Sequence, residues 1–239
     1  MNSFIEKEKI SQLTAQMLLE VEAVNFNSKN PYRLTSGLVS PVYIDCRKLI
    51  SFPHVRTTLI DFSLSVLFEE VGFEKIKSVV GGETAGIPFA AWISEKLNLP
   101  MQYVRKKPKG FGINNQIEGC LQKGDRVLLV EDLATDGGSK IKFCNTLREA
   151  GAIIEDTLVI FYYDIFTETK KLMTANGVKL HFLATWWDVL KICKKENYFS
   201  KDTLAEVEEF LFSPYSWSGK NGGSDISLTP NDIHTDVQN

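Results

Sequence analysis

The chain has 239 residues, 44% of them hydrophobic, with a formal net charge of −3. That length supports one domain of ordinary size with a real core, and the small charge gives no general case for nucleic acid or an anionic membrane as partner. No apolar run approaches the ~18–20 residues of a membrane span, the N-terminal MNSFIEKEKI lacks a signal-peptide apolar core, and Cys46, Cys120, Cys144, Cys193, His54, His181 and His234 make neither a disulfide framework nor a metal-ligand spacing, so reduced cysteines in a cytoplasmic protein are expected.

Residues 5–23 place Ile10, Leu13, Met17, Leu18 and Val21 on one stripe, which predicts an amphipathic helix. The stretch 25–31 breaks it. Residues 32–44 alternate and contain Ser36-Gly37 and Ser40-Pro41, which predicts strand, turn and strand in an edge hairpin. A helix period runs through Val55, Leu59, Phe62 and Val66, then a buried strand over 76–80. Gly81-Gly82-Glu83-Thr84-Ala85-Gly86 makes a strand-to-helix turn into a helix over 87–97, ended near Asn98 and Pro100. A strand over 101–104 precedes 105–118, which has no internal periodicity and is long for a connection in a compact domain.

The apolar run Val127–Val130 predicts a buried parallel strand, followed by Glu131, Asp132 and a helical pattern through Leu147. Gly151 fits a helix C-cap. Strands over 157–163 and 178–185 and helices over 167–175, 187–194 and 203–212 complete the order. Alternating strands and helices imply an α/β fold with a parallel sheet covered on both faces and a ligand site at the strands' carboxyl ends. From 213 onward Ser, Gly, Asn, Asp and Pro dominate, so 213–239 is expected to be a polar, mostly disordered tail with scope for local docking.

Two stretches carry chemistry. In Glu131-Asp132-Leu133-Ala134-Thr135-Asp136-Gly137-Gly138-Ser139, glycines let amides approach a ligand, a helix start offers unsatisfied N–H groups to a phosphate, and Thr135 and Ser139 add hydroxyls. The two carboxylates suit the hydroxyls of a sugar. The string is neither a Walker loop nor GxGxxG. The bland alternative is an acidic strand end with an ordinary glycine turn. In Arg105-Lys106-Lys107-Pro108-Lys109 the bland alternative is a solvated charged loop; the sharper one is a set of cations that closes on a polyanion.

The stretch RVLLVEDLATDGGSK resembles the PRPP-binding motif of type I phosphoribosyltransferases. YVRKKPKGFGINNQIEG resembles the catalytic loop of the orotate phosphoribosyltransferases, and LTSGLVSPVY that family's N-terminal substrate segment; with GGETAGIP the likeness spans roughly residues 10–200 in order. The resemblance implies a type I phosphoribosyltransferase fold, with a central parallel sheet flanked by helices in one domain over 1–212 and a small N-terminal hood over about 1–45. It implies transfer of the phosphoribosyl group of PRPP to orotate. Lys109 and Arg105 would be catalytic; Arg105, Lys106, Lys109, Thr84 and the whole of Glu131–Ser139 would bind PRPP; Ser36, Gly37, Tyr43 and Thr135 would bind orotate. Mg²⁺ would be carried by PRPP, with Glu131 and Asp132 nearby and no direct protein ligand. A homodimer sharing loop 105–118 across subunits is also implied, without nucleic acid or membrane.

The chain departs from the family pattern in places. Phe111 stands where a loop histidine is common, Thr35 where some members carry a lysine, and Thr84-Ala85 where some have Tyr-Lys. The stretch YYDIFTE lacks the arginine that in some members takes the orotate carboxylate. Thr135 favours orotate, since purine enzymes of this type place an acid there. A transferase for another base and a non-catalytic PRPP sensor remain the alternatives; the loop lysines and the absence of a helix-turn-helix pattern in 1–30 weigh against the sensor.

Overall fold

The computed structural model describes residues 5–34, 36–109 and 116–225. The N-terminal part runs α1 (Lys7–Glu20), β1 (Val24–Phe26), β2 (Tyr32–Arg33), β3 (Val39–Ser40), β4 (Val42–Ile44) and a 3-10 turn at Cys46–Ser51. Then come α2 (Pro53–Glu70), β5 (Ser78–Gly82), α3 (Gly86–Leu97), β6 (Met101–Val104), β7 (Ile117–Glu118), β8 (Arg126–Ala134) and α4 (Gly138–Glu149). The chain continues through β9 (Ile153–Tyr162), α5 (Thr167–Ala175), β10 (Lys179–Thr185), α6 (Trp186–Glu196), α7 (Lys201–Phe212) and α8 (Pro214–Lys220).

One six-stranded sheet organises the molecule, in the order β10-β9-β8-β5-β6-β7. Its first five strands are parallel and β7 pairs antiparallel with β6. This is the type I phosphoribosyltransferase architecture that the resemblance implies. Strand alternation sorts the side chains between two layers. Val79, Leu128, Val130, Leu158 and Ile160 join the core under α1, α2 and α3. Val80, Val127, Leu129 and Ile154 join a second core with Ile141, Phe143 and Leu147 of α4. The direction of strand addition reverses between β5 and β8, which opens a crevice at their carboxyl ends. The hood consists of two antiparallel pairs, β1 with β4 and β2 with β3.

Four local expectations are corrected. The strand at 127–130 extends through Glu131 and Asp132 to Ala134, so the two acids lie inside β8 rather than after it. The strand expected at 157–163 begins at Ile153. The end of the presumed loop 105–118 is strand β7. The polar segment beyond 212 folds as far as 225: Pro214 starts α8, and Trp217 is 1% exposed against Phe210. A single indole seated in a pocket outweighs the polar composition around it. Residues 226–239 lie outside the described residues, as do Thr35 and Phe111.

Close packing fixes the crevice walls. A Cβ on Gly86 would meet the Val130 carbonyl oxygen at 2.3 Å, so the N-terminus of α3 is pressed directly against β8. At the other end of the sheet, His181 is fully buried between Glu70 (Nδ1 to Oε2, 2.6 Å) and Asp156 (Nε2 to Oδ1, 2.9 Å). Arg126 extends this network at 3.2 Å from Asp156, and Lys7 pairs with Glu70.

Candidate active site

The two acids of β8 point in opposite directions, as adjacent residues of a strand must. Glu131 faces α4, is 7% exposed, and pairs with the ammonium of Lys140, itself 3% exposed. The Ser139 hydroxyl lies 3.4 Å from the same carboxylate. Asp132 faces the hood and lines a cleft of about 270 Å³ with Ser36, Tyr43, Asp45, Arg47 and Thr135. The expected joint role of the two acids is thus divided: Asp132 meets the cleft, while Glu131 braces the first turn of α4.

Between them and α4 lies the glycine turn. Gly137 has φ +81°, a conformation side chains rarely adopt, and a Cβ there would meet Thr169 Cγ2 at 3.3 Å. The Asp136 carboxylate accepts a hydrogen bond from the Gly138 amide at 2.9 Å, which makes Asp136 a turn-former. Gly137, the residue before α4, has no side chain to cap the helix, and the Asp136 carboxylate takes the Gly138 amide instead. Ala134, at the end of β8, is fully buried and its carbonyl accepts from the Tyr163 amide at 2.9 Å. Leu133 also lines the cleft.

From the hood, Ser36 and Tyr43 reach the cleft, and Tyr43 packs on Tyr32 with centroids 5.3 Å apart. Gly37 turns the hairpin at φ +82° with its amide donating to the Leu34 carbonyl. A small annex of about 50 Å³ beside Thr135 is walled by Leu34, Leu38, Phe166 and Tyr215. Glu168 Oε2 is buried at its wall without a hydrogen-bond partner, so the annex suits a ligand N–H or hydroxyl.

Two groups on the cleft are chemically silent. Burial first, then Asp132 and Asp45, hold the Cys46 thiol well above its ordinary 9.0, and burial foremost raises Tyr163 from 10.0. Both shifts favour the neutral thiol and phenol over their anions.

The loop cations are not among the residues lining the cleft. The Arg105 backbone is clamped to Gln116 by two hydrogen bonds of 2.8 Å, and its guanidinium lies 3.4 Å from Glu118. The Lys106 amide donates to Glu83 at 2.7 Å; the side chains of Lys106, Lys107 and Lys109 are exposed, and so is Thr84, which follows a cis peptide bond.

Residues 57–164 match the family model described as Phosphoribosyl transferase domain. The chain is 57% identical over 220 residues to an orotate phosphoribosyltransferase of Ruegeria sp. (strain TM1040), covering 92% of this chain and 97% of the relative. It belongs to the orotate phosphoribosyltransferase family. An orotate phosphoribosyltransferase of Rhizobium meliloti is 52% identical over 222 residues, covering 93% and 96% of the two chains. Among solved structures, the Aeropyrum pernix orotate phosphoribosyltransferase superposes with TM-score 0.66 at 32% identity, over 78% of this chain and 99% of that one. Leishmania donovani UMP synthase gives TM-score 0.75 at 28% identity, over 87% of this chain and 43% of that longer protein.

Seen as a family member, the chain carries four cleft or cradle groups that the sequence did not single out. Arg33, Asp45 and Arg47 line the cleft, and Lys140 lies beneath the cradle. Lys140 follows Ser139 directly, but only the strand-to-helix geometry reveals that it reaches back to Glu131. Arg33 donates to the Gly222 carbonyl at 3.1 Å, whereas the Arg47 guanidinium is exposed and has no partner among the described residues.

Proposed function

We propose that this cleft catalyses the reaction for which the family is named, in which orotate and PRPP give orotidine 5′-phosphate and pyrophosphate. The observation that carries this is the convergence of Ser36 and Tyr43 from the hood with Asp132 and Thr135 from the β8–α4 junction around one cleft. Thr135, Asp136, Gly137, Gly138 and Ser139 cradle the 5′-phosphate on backbone amides, with the helix start favouring the anion. Asp132 accepts from the ribose hydroxyls. The buried Lys140–Glu131 pair keeps that turn in place, so Glu131 serves PRPP from behind the cradle.

Orotate enters between Tyr43 and Thr135, over Ser36 and Gly37. Arg47 is the cation that its carboxylate meets, in place of the missing arginine of the 162–168 stretch. Thr135 supplies no charge, which suits a substrate that is already an anion. As the bond to pyrophosphate loosens, charge builds on the bridging oxygen, and Lys109, Arg105 and Lys106 stabilise it more in the transition state than in the ground state. Thr84 and the loop cations reach the pyrophosphate on closure, the loop coming from a partner subunit of a homodimer.

Mg²⁺ belongs to the substrate in this scheme. Asp132, the carboxylate of the pair that lines the cleft, would lie nearest to a cation carried by PRPP, which would supply charge neutralisation for the pyrophosphate. Excess chelator is expected to stop orotate consumption, and added Mg²⁺ to restore it; turnover indifferent to chelation contradicts a substrate-carried metal.

A further inference from the structure

Segment 214–225, polar enough in composition to suggest a free tail, is bolted to the hood hairpin by three hydrogen bonds. The Val39 amide donates to the hydroxyl of Ser218, a residue that is fully buried, at 2.9 Å. The Ser224 amide donates to the Gly37 carbonyl at 3.1 Å, and Arg33 donates to the Gly222 carbonyl at 3.1 Å. Gly223 is wedged between them: a Cβ there would come within 2.4 Å of Ser218 Oγ and 2.7 Å of the Val39 nitrogen. Tyr215 packs on Phe166 at 5.7 Å and closes the annex beside Thr135. The same segment is held from below by Trp217, whose indole donates to Glu206 at 3.0 Å.

Every one of these hood contacts falls on β2, β3 or the Ser36-Gly37 turn between them. Tyr215 adds one wall to the annex beside Thr135 and Asp136. The β2–β3 pair itself is only two residues long on each strand and is not self-sufficient as a hairpin.

We infer that segment 214–225 is a positioning element for base recognition: it sets the Ser36-Gly37 turn over the cleft and so controls the affinity for the base, not for PRPP. This rests on placing the base at Ser36 and Gly37, as above. Ser218 and Gly223 are positioning residues, acting through the hairpin and touching no substrate.

The test is steady-state kinetics of the full chain carrying Gly223→Val or Ser218→Ala, with thermal unfolding followed in parallel. Gly223→Val is expected to raise KM for orotate about tenfold, and Ser218→Ala about threefold, as loss of the hairpin's hydrogen bonds implies. KM for PRPP should stay within about twofold in both, since the cradle amides are untouched. Ser218→Ala removes one oxygen without adding bulk, so it carries the test if the valine variant fails to fold. Unchanged orotate KM in a folded Ser218→Ala protein, or equal rises in both KM values alongside a lowered melting temperature, overturns the inference. Absence of orotate turnover in the unsubstituted chain overturns the functional reading and this inference with it; normal turnover with insensitive variants overturns this inference alone.

Discussion

Lys109→Ala should lower kcat by roughly 10²–10³-fold, the loss typical of removing one group aimed at developing charge. KM for PRPP should change only a few-fold, because the proposed holders of the 5′-phosphate and ribose, the β8–α4 turn and Asp132, are left intact. The side chain of Lys109 is exposed and is not among the residues lining the cleft. Once the loop closes, the ammonium meets charge that grows as the bond to pyrophosphate breaks, so most of its effect should appear in the transition state. Lys107→Ala is the internal control, since that exposed neighbour has no assigned role. Steady-state kinetics of both variants decide the matter: equal small losses would reduce the loop to a solvated basic run, and unchanged kcat in Lys109→Ala would remove it from the mechanism.

His181→Ala should destabilise the fold by about 3 kcal/mol, the scale seen when one partner of a buried charged pair is removed. Among the described residues the imidazole alone bridges Glu70 and Asp156, and without it two partly buried carboxylates face a cavity. Burial alone would push the His181 pKa down, but hydrogen bonds to Asp156 and Glu70 overcome this and raise it above 6.5. The hydrogen bond from His181 is the main cause that lowers Glu70 from 4.5 to about 2. Burial opposes ionisation of Asp156, yet bonds from His181 and Arg126 bring it below 3.8.

The pH dependence follows from those directions. The contribution of His181 is complete below its ordinary 6.5 and is lost as pH rises through the raised value in the folded protein. That of Glu70 is complete above 4.5 and is lost as pH falls towards about 2. The stability gap between wild type and His181→Ala should therefore be widest near pH 5–6 and shrink in alkali. Denaturant unfolding at pH 5.5 and pH 9 checks it, and a gap that grows with pH would contradict a charged His181.

The fold was legible because it is carried by features that survive in one dimension. Val127–Val130 is apolar on every residue because β8 is covered on both sides, and the alternation of strands with helices dictates a parallel sheet. The glycine turn was legible for a similar reason: Thr135 to Ser139 are contiguous and Gly137 needs its positive φ. What was not legible depended on contacts between distant parts of the chain. Treating Glu131 and Asp132 as a pair ignored that β8 runs on through them, so that strand alternation sends them to opposite faces. Arg33 and Arg47 reach the cleft only because the hood folds over the carboxyl end of β8. The composition of 213–225 concealed a helix, because Trp217 and Gly223 do their work by fitting against residues from Val39 to Phe210.

The most direct test of the whole account is base selection. The purified chain is incubated with PRPP and Mg²⁺ and one of orotate, adenine, hypoxanthine or uracil, and consumption of each base is followed. The account predicts loss of orotate that requires both PRPP and the metal, with the other three bases left unchanged. Turnover of adenine, hypoxanthine or uracil in its place would contradict the assignment of Ser36, Tyr43, Arg47 and Thr135 to orotate, and binding of PRPP with no turnover of any base would contradict catalysis itself.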